Sequence, residues 1–116
     1  SLVDRDYINL ICSLLSCGEK VQMEFKGSSM QPTIPSPCKI LVSKPGEITI
    51  GSIYVYITPE PYSSLVCHRL IVQSEEKLFF QGDNRKNIDQ FVTRESIIGR
   101  CIAYIINDRV FSLEEG

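Results

Sequence analysis

The chain has 116 residues, 43% of them hydrophobic and 22% charged, with a net charge of -2 and a pI of about 5.4. That length fits one domain, expected over 1–116, with enough apolar content to bury a core, and it excludes a disordered tail or a collagen-like repeat. No strong positive field is present to attract phosphate, so nucleic acid is not an expected partner.

The opening segment, about 4–17, is expected to be a helix. Asp4 or Asp6 can cap it, and Tyr7, Ile8, Leu10, Ile11, Leu14 and Leu15 recur at helical spacing to make an apolar face. Gly18 is a natural stop. The apolar run from Ile8 to Cys17 is far shorter than the roughly 18 residues a membrane span needs, so no span is expected.

From about 20 to 113 the pattern changes to strands. Val21, Met23 and Phe25 alternate with Gln22, Glu24 and Lys26, the signature of a half-buried strand. Further strands are expected at Lys39 to Ser43, Ile53 to Thr58, Ser64 to Val72, Leu78 to Gln81, Ile97 to Ile106 and Val110 to Leu113, with a turn at Asn107-Asp108. One helix and six or seven strands, with turn signals about every ten residues, predict a mainly β fold: a small antiparallel β-barrel or coiled sheet. The cysteines, Cys12, Cys17, Cys38, Cys67 and Cys101, are odd in number and form no C-x-x-C pair. They read as reduced core thiols rather than as disulfides or zinc ligands.

Three places carry candidate chemistry. In Phe25-Lys26-Gly27-Ser28-Ser29-Met30-Gln31-Pro32-Thr33 a strand ends, Gly27 permits a sharp turn, and Pro32 suits the first turn of a short helix. A serine at such a junction exposes its hydroxyl beside free backbone N–H groups that can hold an oxyanion. In Val66-Cys67-His68-Arg69-Leu70 lies the chain's only imidazole. Histidine can take a proton from a serine hydroxyl near neutral pH, and the hydroxyl is a weak nucleophile until it does. In Gln81-Gly82-Asp83-Asn84-Arg85-Lys86-Asn87-Ile88-Asp89 stand the only aspartates between Asp6 and Asp108. Asp83 or Asp89 could orient His68 and stabilise its charged form.

This ordered set resembles the signal peptidase I and LexA-like family of serine peptidases. The matching pieces are Gly27 to Thr33, then Cys67-His68-Arg69-Leu70, then Gly82-Asp83-Asn84 with Asp89, then Ile98-Gly99-Arg100. Together they run from about Val21 to Ile106. The serine directly before the methionine is the family nucleophile, which maps to Ser29. The base position, a lysine in most bacterial signal peptidases and in LexA-like proteins, holds His68. The resemblance is therefore nearest the Ser-His-Asp branch of archaeal and endoplasmic-reticulum signal peptidases, and it extends to small soluble bacterial relatives that begin with a helix. By its offset Asp89 fits the third member, with Asp83 as support. Gly27 stands where bacterial enzymes often place an oxyanion-hole serine, so backbone donors are expected there, the Ser29 N–H first. Ser28, Met30, Arg69 and Asn84 complete the supporting set. Pro37-Cys38 and Gly51-Ser52 depart from the family's two Gly-Asp turns.

The resemblance implies a soluble, cytoplasmic endopeptidase that needs no metal or organic cofactor. Its substrate is a peptide or precursor protein, bound as an extended strand in a groove and carrying small residues at the first and third positions before the cut. Two other readings use the same fold: a non-catalytic peptide-binding module, and a self-cleaving regulatory domain. The second requires a lysine base, whereas this chain has His68.

Overall fold

The computed structural model describes residues 4–114. Helix α1 spans Arg5–Ser16. The side chain of Asp4, and not Asp6, caps it by accepting from the N–H groups of Asp6 (2.9 Å) and Tyr7 (3.3 Å). The helix ends where Glu19 N–H donates to Leu14 and Gly18 N–H donates to Leu15, with Gly18 in the left-handed region. The expected apolar face divides in two. Ile8, Ile11 and Leu15 are buried, while Tyr7, Leu10 and Leu14 remain 44%, 58% and 38% exposed. One helix can turn only one stripe of about 100° toward its sheet, and the second stripe lies beyond it. Among the described residues no helix is long and apolar enough to cross a membrane.

Seven strands follow: β1 Val21–Phe25, β2 Cys38–Ser43, β3 Ile53–Ile57, β4 Leu65–Ser74, β5 Lys77–Gln81, β6 Ile97–Ile106 and β7 Arg109–Ser112. All pairings are antiparallel, in the order β1-β2-β6-β3-β4-β5, with β7 folded back on β6. Asn107 and Asp108 both take positive φ, as a tight hairpin turn between β6 and β7 requires. Of the two sheet forms expected, this is the coiled sheet; it does not close into a barrel. Register shifts at Leu41/Val42, Val55/Tyr56 and Leu70/Val72 add local twist, which curls the sheet.

One face shares a core with Ile8, Ile11 and Leu15 of α1 and holds Met23, Phe25, Ile40, Val42, Val55 and Cys101. The other holds Tyr54, Tyr56, Leu70, Leu78, Phe80 and Val92. Gly99 leaves no room for a side chain between β2 and α1, since a Cβ there would lie 2.5 Å from Val42 Cγ1 and 3.1 Å from Leu15 Cδ1. Cys67 and Cys101 are buried and Cys12 and Cys38 partly so, but Cys17 is exposed, because it caps the helix end instead of facing the core.

The short helix expected after Pro32 is absent. Residues 28–34 form successive turns, with Gln31 N–H on Ser28 O (3.2 Å) and Ile34 N–H on Met30 O (2.9 Å). Pro32, Pro35 and Pro37 remove three N–H donors and bias the residues before them toward extended backbone, so no helix can propagate.

Candidate active site

The serine segment is held by the loop that follows β5. Gly27 has φ +94°, which turns the chain out of β1 without strain. Met30 is fully buried in the core, and its Sδ accepts from Asp83 N–H at 3.3 Å. Burying that side chain contributes on the order of 2 kcal/mol and fixes the turn. Asn84 clasps the segment twice, with its N–H on Ser29 O (2.8 Å) and its Nδ2 on Ser28 O (2.9 Å). Ser29 is half-buried and lines a groove of about 340 Å³. Among the described residues the Ser29 N–H engages no acceptor, so it is free to donate to a ligand.

His68 stands on β4, buried, and lines the same groove. Its Nδ1 is hydrogen-bonded to Oδ2 of Asp89. An ionised carboxylate can only accept, so the proton lies on Nδ1 and the neutral ring keeps a lone pair on Nε2. Nε2 faces the serine segment. A Cβ on Gly82 would come within 3.1 Å of it and within 2.6 Å of Ser29 O, so only glycine fits between them. Ser29 Oγ makes no hydrogen bond to His68 or to any other described residue. The structure therefore brings Ser29, His68 and Asp89 to one site, with the His68–Asp89 contact made and the Ser29–His68 contact open.

The two aspartates divide. Asp83 does not touch the imidazole. It receives Arg69 in a bidentate pair, Nε at 2.9 Å and Nη2 at 2.7 Å, together with the Thr33 hydroxyl at 2.6 Å. Arg69, and secondly Thr33, hold the Asp83 carboxyl below the usual carboxylate range, and Asp83 in turn raises the Arg69 guanidinium. Arg69 also donates to Gly51 O at 2.6 Å. Arg69, Asp83 and Thr33 thus lock β4, the loop after β5 and the serine turn together. Asp89 is set by its own N–H on Phe80 O (2.8 Å) and by the hydroxyl of Tyr56, which donates to Oδ2 at 2.8 Å.

Tyr56 is the residue that sequence reasoning missed. It is buried, stacked on Phe80 with ring centroids 4.2 Å apart, and burial followed by the Asp89 carboxylate pushes its phenol well above the ordinary value. The tyrosine alternation in Ile53 to Ile57 was its only signal, because the register that pairs Tyr54 with His68 is what brings Tyr56 diagonally beside the imidazole.

The groove runs between β1 with its end (Met23 to Lys26) and β4 (Leu65 to His68), over Ile40 and Val55. Cys67 also lines it, but the hydrogen bond its thiol donates to Cys101, then burial, raise that thiol well above the ordinary value. That disfavours a competing thiolate beside the serine. β1 pairs only with β2, so its outer edge is free among the described residues. Such an edge can take an added strand.

A family model described as Peptidase S24-like matches residues 2–102, most of the chain. No curated protein and no solved structure matches it.

Proposed function

The chain belongs to the Peptidase S24-like family, the LexA and signal peptidase I group, and from that premise we propose that it is a serine endopeptidase of the Ser-His-Asp type. One observation carries the reading. An imidazole locked on Asp89 through Nδ1 shares a groove with Ser29 and turns Nε2 toward the segment that bears it.

In this reading an extended peptide adds to the free edge of β1 and lies between β1 and β4. Its arrival closes the gap between Ser29 Oγ and His68 Nε2, since such contacts tighten only in the substrate complex. Nε2 takes the hydroxyl proton as Oγ attacks the scissile carbonyl. The Ser29 N–H donates to the oxyanion. As the tetrahedral intermediate collapses, the C–N bond breaks and His68 passes the proton to the leaving amine. The resulting acyl-enzyme is opened by a water whose proton goes to His68 and then back to Ser29 Oγ. Asp89 stays ionised throughout and stabilises the imidazolium. Asp83, Asn84, Arg69 and Met30 hold the frame and exchange no proton. The substrate class is a peptide or precursor with small residues beside the cut, and the relationship is nearest the Ser-His-Asp signal peptidases and their small bacterial relatives.

A second reading, a peptide-binding module, has one observation in its favour: the open Ser29–His68 contact. A peptide library read by mass spectrometry separates the two. Cuts made by wild type and absent from His68→Ala support the peptidase. Peptides retained by both proteins and cut by neither support the module.

A further inference from the structure

We propose that Tyr56 is a positioning residue that anchors the Asp89 carboxylate against His68. The inference rests on the reading of Ser29, His68 and Asp89 as the reacting set.

The need for an anchor follows from where Asp89 sits. It belongs to the long segment between β5 and β6, next to exposed Ile88 and Gln90, and its side chain is 29% exposed. Its backbone is tethered by one hydrogen bond to Phe80 O. A carboxylate in such a place has water as a competing partner. His68 alone does not determine its orientation, because the ring can be met by either oxygen. In the structure both donors, His68 Nδ1 and Tyr56 Oη, converge on Oδ2, and Oδ1 engages no donor among the described residues. Two donors from different strands on one oxygen fix the carboxylate plane.

Tyr56 is suited to serve as the fixed member. Its ring is 1% exposed, stacked on Phe80 at 4.2 Å and 25°, and edge-on to the His68 ring at 6.4 Å. It stands on β3, paired on both sides by β4 and β6, so its hydroxyl has little freedom. Other charged groups do not replace it. Arg85, Glu24 and Lys26 line the groove on the Ser29 side of the ring, and Asp83 is committed to Arg69.

The test is Tyr56→Phe, which keeps the ring, its stacking and the fold, and removes only the hydroxyl. His68 is the sole imidazole in the chain, so its Nδ1–H proton signal is unambiguous by NMR. We expect Tyr56→Phe to broaden or lose that signal as Asp89→Asn does, while amide signals of β1, β2 and β7 stay in place. On a cleaved peptide, kcat is expected to fall about ten-fold or more with KM unchanged. In the Asp89→Asn background Tyr56→Phe is expected to add little further loss, since the hydroxyl bonds Asp89 Oδ2 at 2.8 Å and reaches His68 Nδ1 only at 3.5 Å, the outer limit of a hydrogen bond. A wild-type Nδ1–H signal in Tyr56→Phe overturns the proposal, and so does a full additional loss on Asp89→Asn. The NMR arm needs no substrate. Absence of any Ser29-dependent cleavage removes the peptidase reading, while the anchoring of Asp89 stands or falls on the resonance.

Discussion

Gly82→Ala places the sharpest demand on the account of how the serine segment meets the imidazole. A methyl group at Gly82 would lie 2.6 Å from the Ser29 carbonyl oxygen, 3.0 Å from Arg85 Cγ and 3.1 Å from His68 Nε2. The arginine stem is flexible and can move aside. The Ser29 carbonyl is backbone, held by Asn84 N–H, and the imidazole is held by Asp89. Reaching ordinary contact at 3.4 Å requires a shift of about 0.8 Å between the loop and the serine segment, from 3.4 minus 2.6. Forcing a methyl group into such a place costs about 1–3 kcal/mol. A nucleophile displaced by on the order of 1 Å loses about a hundred-fold in rate. Urea denaturation reads the first quantity, and kcat/KM on a cleaved peptide reads the second. Wild-type stability together with wild-type activity in Gly82→Ala would refute the close approach on which the site is built.

Further outcomes follow from the same geometry. Asp83→Asn is expected to lose about 1–2 kcal/mol at pH 7, allowing for the partial exposure of its pair with Arg69. Arg69 depresses the folded-state pKa of Asp83, so its contribution is complete above the ordinary carboxylate value of about 3.9 and disappears as pH falls through the folded value. Denaturation of both proteins from neutral pH into acid checks it, and a gap that persists in strong acid would contradict the ion pair as its source. Gly99→Ala would set a methyl group 2.5 Å from Val42 Cγ1 and 2.6 Å from Ser43 O, and is expected to cost about 1–3 kcal/mol in the same assay. An unchanged denaturation midpoint there would show that β6 does not need the glycine to receive α1.

The strands were legible because their periodicity is local. Alternation in Val21 to Lys26 survives as buried Met23 and Phe25 against exposed Gln22, Glu24 and Lys26, and the β6–β7 turn needed only Asn107-Asp108. The helix was legible in extent but not in its buried stripe, because Tyr7, Leu10 and Leu14 share the spacing of Ile8, Ile11 and Leu15, and only docking decides between them. Pro32 misled toward a helix because one proline at a first turn favours it, whereas three prolines within six residues prevent it. Whether the sheet closes depends on bulges and twist summed over strands far apart in sequence. At the site the order of serine, histidine and aspartate was visible. The residues alone left Asp83 and Asp89 both open as partners of His68, and the family resemblance favoured Asp89; what separates the two carboxylates in space, Arg69 on Asp83 and Tyr56 on Asp89, lies 14 and 33 residues away in the chain. The close approach of Gly82 to the Ser29 carbonyl, which leaves no room for a Cβ, is likewise set by tertiary packing and not by local sequence.

If Ser29 is the nucleophile, the cleavage rate of purified Ser29→Ala beside wild type on one peptide reveals it. The side chain is half-buried and makes no hydrogen bond to a described residue, so its loss leaves stability within about 0.5 kcal/mol. The rate is expected to fall by about a thousand-fold or more in a protein that melts like wild type. A folded Ser29→Ala that cleaves within about ten-fold of the wild-type rate would contradict it.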